Sequence, residues 1–210
     1  MQEVRSILAL GAHPDDLELG CGATLAKLVA RGAEVTAVIL SDGGLGADLG
    51  FDRSKETREA LTTLGVQSVV QHRFPDTRLH EHLNELIAAI EAHVKEVAPQ
   101  RVYTMFHDDR HQDHRAVYHA SIVACRKVPQ ILAYETPSSY PNFVPTVFEP
   151  VDEFMERKVG ALKLHKSQGD RLYMHEDKIR SAAHFRGVQV DLGQTEGFIP
   201  YKLVLSGTVA

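Results

Sequence analysis

Two short runs in the chain carry donor atoms at spacings suited to holding a metal ion. The first is His13-Pro14-Asp15-Asp16 and the second His111-Gln112-Asp113-His114. Together they offer imidazole nitrogens and carboxylate oxygens and no thiolate. A catalytic zinc site takes three such ligands and leaves a fourth position for water, and two His with one Asp meet that need. Asp15 and Asp16 are consecutive, so their side chains leave the backbone in different directions. One can ligate while the other takes a proton from an attacking water. A bound metal lowers the pKa of water and polarises a scissile carbonyl. The chemistry these residue types suit is hydrolysis at a single metal ion.

Each run also has a plain structural alternative, a strand-to-helix turn with Asp as a helix cap. What separates the two is where the runs sit. Val4 to Gly11 is a short apolar run read as a buried strand, and it leads directly into His13. Leu19 to Arg31 reads as a helix stopped by Gly32, and Glu34 to Leu40, rich in β-branched residues, as a second strand. Asp42-Gly43-Gly44-Leu45-Gly46 is a loop. Arg53 to Leu64 reads as a helix closed by Gly65, and Val66 to His72 as a third strand. Leu79 to Val97 has the clearest amphipathic period, with Leu79, Leu83, Leu86, Ile87, Ile90 and Val94 on one face and Pro99 beyond its end. Arg101 to Phe106 is a fourth strand, Asp113 to Arg126 a helix and Ile131 to Tyr134 a fifth strand.

This alternation predicts an α/β fold, a Rossmann-like open and mostly parallel sheet with helices on both faces. With a strand order near 3-2-1-4-5, the first and fourth strands are neighbours at the switch point, where ligands bind beyond the strands' carboxyl ends. The two metal-binding runs follow these two strands. Further along, the pattern is less regular. Ser138 to Pro150 reads as a loop plus a short strand, Val151 to Lys166 and Asp177 to His184 as helices, and Tyr201 to Leu205 as a last strand. The expectation is one domain over residues 1–210.

Composition narrows the partners. The net charge is -5 and hydrophobic content 43%, so no strongly basic face recommends nucleic acid. No run reaches the ~18 apolar residues of a membrane-spanning helix. Cys21 and Cys125 form no CxxC pair, and a basic-then-apolar leader is not seen at the N-terminus. These features predict a cytoplasmic protein with reduced thiols acting on a small molecule.

The residues then reach a family resemblance. Ala12-His13-Pro14-Asp15-Asp16-Leu17-Glu18 resembles the AHPDDxE motif of the PIG-L/LmbE-like deacetylases, and Asp109-Arg110-His111-Gln112-Asp113-His114 is similar to that family's DxHPDH motif. Weaker echoes follow in the family's order: Ser41-Asp42-Gly43-Gly44, Arg58-Glu59-Ala60, Phe74-Pro75-Asp76 and His165-Lys166-Ser167-Gln168. The resemblance implies a zinc-dependent N-deacetylase of N-acetylglucosamine-containing or similar N-acyl compounds, with iron or cobalt as alternative ions and a trimer or hexamer as its assembly. It implies that His13, Asp16 and His114 hold the metal and that Asp15 is the general base. It assigns His111 to the oxyanion or the leaving amine, with Asp113 orienting and charging the His111 ring. Asp76 corresponds to a sugar-hydroxyl acceptor, and Arg53, Arg58 and Arg110 stand where a substrate could be met. Glu18 has a structural alternative as a first-turn carboxylate.

Two departures stand out. Gln112 replaces the family's usual Pro, and Gly197 to Lys202 lacks an acidic residue expected near the end. Two rival classes share the same fold. A two-metal phosphoesterase would draw on Asp42, Asp108 and Asp109 as extra ligands, and a non-enzymatic module would bind a sugar or nucleotide.

Overall fold

The structure is a computed structural model that describes residues 4–44 and 50–204. Five strands run parallel: β1 (Ser6–Gly11), β2 (Glu34–Ser41), β3 (Ser68–Phe74), β4 (Arg101–Thr104) and β5 (Gln130–Tyr134). Two more, β6 (Val147–Pro150) and β7 (Thr195–Leu203), are antiparallel additions, and the sheet order is β3-β2-β1-β4-β5-β7-β6. The expected 3-2-1-4-5 order holds for the parallel part. Ile7 to Gly11 are buried on both faces, which is why β1 reads as an unbroken apolar run.

The helices are α1 (Asp16–Ala30), α2 (Arg53–Thr63), α3 (Leu83–Val97), α4 (Gln112–Ala124), α5 (Met155–Leu162) and α6 (Glu176–Val188). α1, α2 and α5 pack together, and α3 packs on α4. Right-handed crossovers put α1 and α2 on one face of the sheet and α3 and α4 on the other. The order in which strands are added therefore reverses between β1 and β4, and the crevice opens at their carboxyl ends. Among the described residues no helix is long and apolar enough to cross a membrane.

Several boundaries differ from the sequence reading. The last strand begins at Thr195 and not at Tyr201, because Gly197 and Pro200 mask it; Pro200 is accommodated where the β5–β7 register shifts between Ile131 and Leu132. Leu205, and Leu45 and Gly46 of the glycine-rich loop, lie outside the described residues. The helix expected over 151–166 is regular only in α5, with 3-10 turns at Asp152–Phe154 and Lys166–Gln168. α1 starts three residues early, immediately after Asp15, and is kinked at Cys21 (φ -144°, ψ 17°).

The kink is held from outside the helix. Glu196 of β7 accepts the backbone N–H of Ala23 (3.2 Å) and Thr24 (2.7 Å), capping the second half of α1. Lys158 of α5 donates to Leu19 O (2.7 Å) and to Glu196 Oε1 (2.6 Å). At Gly20 a Cβ would sit inside the Tyr134 ring, whose hydroxyl donates to Leu10 O (2.7 Å). Glycine lets the first turn of α1 close against the sheet.

Candidate metal centre

His13 and Asp16 flank the turn by which β1 becomes α1. That turn is tight: Asp15 has φ 95° and ψ -22°, a left-handed conformation for a non-glycine residue, and such positions cost about 1–3 kcal/mol. Asp16 closes the turn by accepting the His13 backbone N–H through Oδ2 (2.7 Å). Its two oxygens then face two imidazoles. Oδ2 lies 3.5 Å from His13 Nδ1, and Oδ1 lies 3.3 Å from His114 Nε2. Ligands bonded at roughly 2.0–2.1 Å around a tetrahedral ion stand about 3.3–3.4 Å apart. The His13–Asp16 and Asp16–His114 pairs stand near that separation, each through a different oxygen of Asp16.

The far nitrogens of both rings are held by carboxylates. His13 Nε2 lies 3.1 Å from Asp113 Oδ2 and 3.2 Å from Asp76 Oδ1. His114 Nδ1 lies 3.1 Å from Asp109 Oδ2. Asp113 is fixed by the backbone N–H of Thr77 (2.7 Å) and Leu79 (3.0 Å). Asp109 accepts from Ser138 Oγ (2.6 Å), Thr136 Oγ1 (2.9 Å) and the His111 N–H (2.8 Å). Carboxylate-backed imidazoles are the usual outer support of a metal ligand, fixing its tautomer and ring angle. The donor set is nitrogen and oxygen, suited to zinc and also to iron or cobalt.

His111 is brought to the same place in a different state. It caps α4, and its Nδ1 accepts the Asp113 backbone N–H (3.2 Å). Its ring stacks on His114 at 4.8 Å and lies 4.6 Å from His13. Ring nitrogens of His13, His111 and His114 come within 4.8 Å of one another, and a second grouping joins His13, Asp76 and Asp113. The second grouping is better read as support, because both Asp113 oxygens already accept backbone N–H groups.

The expected pairing of the Asp113 carboxylate with His111 is not formed; Asp113 reaches His13 and holds His111 only through its main chain. The expected imidazolium at His111 is also not favoured. Burial and then the neighbouring His13 and His114 push its pKa below the usual value, so His111 is a neutral ring presenting Nε2–H. His114 is the opposite: burial lowers it, but Asp16 and Asp109 outweigh burial and raise it to about 9.

Asp15 is buried, and burial followed by the charge of Asp16 raises its pKa to about 7, while Arg53 opposes the rise. Arg53 is no solvated surface charge. Its Nη1 donates to Gly43 O (2.8 Å), its Nη2 to Pro14 O (2.9 Å), and Nη2 lies 3.6 Å from Asp15 Oδ2. Nε is buried without a partner. Gly43 (φ 64°) is needed here, because a Cβ would collide with the guanidinium.

These groups line a cavity of about 340 Å³ that also contains Asp76, Thr77, Gln168 and Tyr173. Arg58 is exposed on α2. Arg110 is exposed too; it donates to Pro137 O (2.9 Å) and Ser138 O (3.3 Å) and is not brought to the cavity wall. The carboxylates invoked for a second metal do not converge. Asp109 is occupied as described, Asp108 accepts from Asn142, and Asp42 is exposed.

Three contributors escaped the sequence reading as site residues, Thr136, Ser138 and Tyr173, and Asp109 was read there only as a motif residue and a candidate second-metal ligand. Asp109 opens the second motif, but its partner loop lies 27–30 residues away. Gln168 was visible only as part of the weak echo at 165–168. That turn is pinned by two carboxylates: Glu18 lies 3.0 Å from His165 Nε2, and Glu56 accepts from Ser167 N–H (3.0 Å) and Oγ (2.6 Å). Glu18 is therefore a buried tie between α1 and this turn.

Comparison with known proteins places the chain among deacetylases. The chain is 52% identical over 169 residues to the uncharacterized deacetylase YaiS of Escherichia coli (strain K12), covering 78% of this chain and 91% of that protein. It superposes on N,N'-diacetylchitobiose deacetylase from Pyrococcus horikoshii with a TM-score of 0.81 at 25% identity, covering 95% of this chain and 84% of that one. GalB, the 4-carboxy-2-hydroxymuconate hydratase from Pseudomonas putida KT2440, shares the fold with a TM-score of 0.84 at 18% identity, over 98% of this chain and 100% of that one; at that identity the likeness shows the fold alone. Residues 8–125 match the family described as PIG-L, GlcNAc-PI de-N-acetylase. With both motifs in place and more than half the chain matched, the protein belongs to the PIG-L deacetylase family.

Proposed function

We propose that this protein is a zinc-dependent deacetylase that hydrolyses the N-acetyl amide of an N-acetylglucosamine-containing or similar small N-acyl compound. The observation that carries the reading is that Asp16 lies 3.5 Å from His13 Nδ1 and 3.3 Å from His114 Nε2, each imidazole backed by its own carboxylate. Asp15 stands beside the triad outside that set. Substrates of the deacetylase relatives add the sugar.

His13, Asp16 and His114 would hold the ion. When bound, it supplies a Lewis acid that polarises the amide carbonyl and lowers the pKa of water. Asp15 takes the proton of the attacking water; its pKa near 7 suits a base working near neutrality. Neutral His111 directs Nε2–H at the oxygen on which charge develops, and a preorganised donor of this kind contributes about 10²–10³ in rate. The C–N bond then breaks, Asp15 returns its proton to the departing amine, and acetate and free amine result. Asp76, Gln168 and Arg53 offer acceptors and donors to the hydroxyls of a sugar. Arg53 also keeps Asp15 from rising further.

The test is acetate release from N-acetylglucosamine and diacetylchitobiose by metal-free protein loaded with one equivalent of zinc, iron or cobalt. Turnover that saturates at one equivalent per chain supports the reading. Turnover that requires two equivalents, or appears only with a phosphate ester, overturns it.

A further inference from the structure

A second cavity of about 250 Å³ adjoins the metal site, and the two share Leu19, Thr136, Pro137 and Tyr173 as lining. Their remaining walls differ in chemistry. The metal-site cavity is lined by imidazoles, carboxylates, Arg53 and Gln168. The second is walled by Ile179, Ala182 and Ala183 of α6 with Gly20 and Gly197, and by charged or polar residues that include Glu135, Lys158, Lys178, Arg186 and Glu196.

The charged groups around the second cavity are already matched. Lys158 lies 2.6 Å from Glu196, which also caps α1. Arg186 makes two bonds to Glu135, at 2.6 and 2.9 Å. Lys178 lies 3.0 Å from Asp177. Lys158–Glu196 is buried on both sides, so an ionic ligand that broke it would strand a buried charge; the Lys178–Asp177 pair is exposed. A neutral apolar group suits the cavity, where it gains burial and displaces no hydrogen bond.

An amide has two substituents, which leave the reacting carbon in different directions. A hydroxyl-rich amine component matches the polar walls of the metal site. The apolar direction is that of Leu19, Pro137 and Tyr173, which with Thr136 border both cavities. Resting on the deacetylase reading, we infer that this cavity receives the alkyl tail of an N-acyl group longer than acetyl, so that the protein is an N-deacylase for amino sugars carrying acyl chains of about four to eight carbons. A methylene fills about the volume of a water, roughly 30 Å³, and the space accommodates several. The reaction remains hydrolysis: water adds to the carbonyl, the C–N bond breaks, and a fatty carboxylate and free amine result.

The experiment compares N-acetyl-, N-butanoyl- and N-hexanoylglucosamine with metal-loaded protein, following free glucosamine as their common product. Each methylene buried raises kcat/KM by roughly fourfold when its transfer free energy is fully realised, so hexanoyl should exceed acetyl by at least about tenfold. Ala182 is exposed at the cavity wall, and Ala182→Phe should reverse the order. Independently of any variant, hexanoate should inhibit acetyl hydrolysis more strongly than acetate does. If acetyl is cleaved while butanoyl and hexanoyl fall below a tenth of its rate, or if hexanoate is no better an inhibitor than acetate, the inference is overturned and the deacetylase reading stands. If no N-acyl compound is cleaved, the deacetylase reading itself falls.

Discussion

Asp113 holds His13 across the switch point: its Oδ2 lies 3.1 Å from His13 Nε2, 100 residues away in sequence. The same carboxylate is fixed by the main chain of Thr77 and Leu79, so three strand ends meet on one side chain. Removing its charge while keeping its shape should loosen the His13 ring as a ligand. Asp113→Asn is expected to weaken metal affinity about 10- to 100-fold, measured by competition with a chelator of known affinity. Unchanged affinity would show that Asp113 does not support the metal.

Asp15 and the metal ligands should separate cleanly. Asp15→Asn is expected to lower kcat by about 10²–10⁴ while the protein still binds one metal. His13→Ala and His114→Ala are expected to lose the metal itself. Elemental analysis of the purified variants, beside their turnover, checks both halves.

His111 tests which three residues form the metal set. Its ring nitrogen lies within reach of those of His13 and His114, while Asp16 lies 3.5 Å from His13 Nδ1 and 3.3 Å from His114 Nε2. His111→Gln is therefore expected to keep its metal and to lose about 10²–10³ in kcat. A variant emptied of metal would place His111 among the ligands.

The buried pair Lys158–Glu196 should be strongly coupled. Both side chains are nearly inaccessible, and leaving one charge unpaired in such a place costs about 3–5 kcal/mol. Lys158→Met and Glu196→Gln are each expected to destabilise the fold on that order, and the double variant by less than the sum. Chemical denaturation of all four proteins reads the coupling.

His165 should make stability depend on pH. Burial disfavours its charged form, but Glu18 outweighs burial and its pKa is raised. A pKa raised on folding adds stability that is full below the unfolded value of about 6.5 and is lost as pH rises through the folded value. The stability difference between wild type and His165→Gln is expected to be largest below about pH 6 and to shrink toward alkaline pH. A difference that grows with pH would contradict a protonated His165.

The local pattern was enough to determine five parallel strands, their order, and two motifs at adjacent strand ends. Apolar runs, helical periods and turn residues are short-range signals, and the alternation of strand and helix leaves few topologies open. It was also enough to bring His13, Asp15, Asp16, His111 and His114 together. What only the tertiary structure decided is which group serves which. The family resemblance paired Asp113 with His111, but Asp113 lies against His13, and the β3–α3 loop delivers Thr77 and Leu79 to it there. Arg110 looked available in the motif and is turned onto the loop carbonyls of Pro137 and Ser138. Glu196 carried no pattern, and its role exists only because β7 runs beside a kinked α1. Side-chain partners separated by 30 to 170 residues are set by packing and burial, which no local period records.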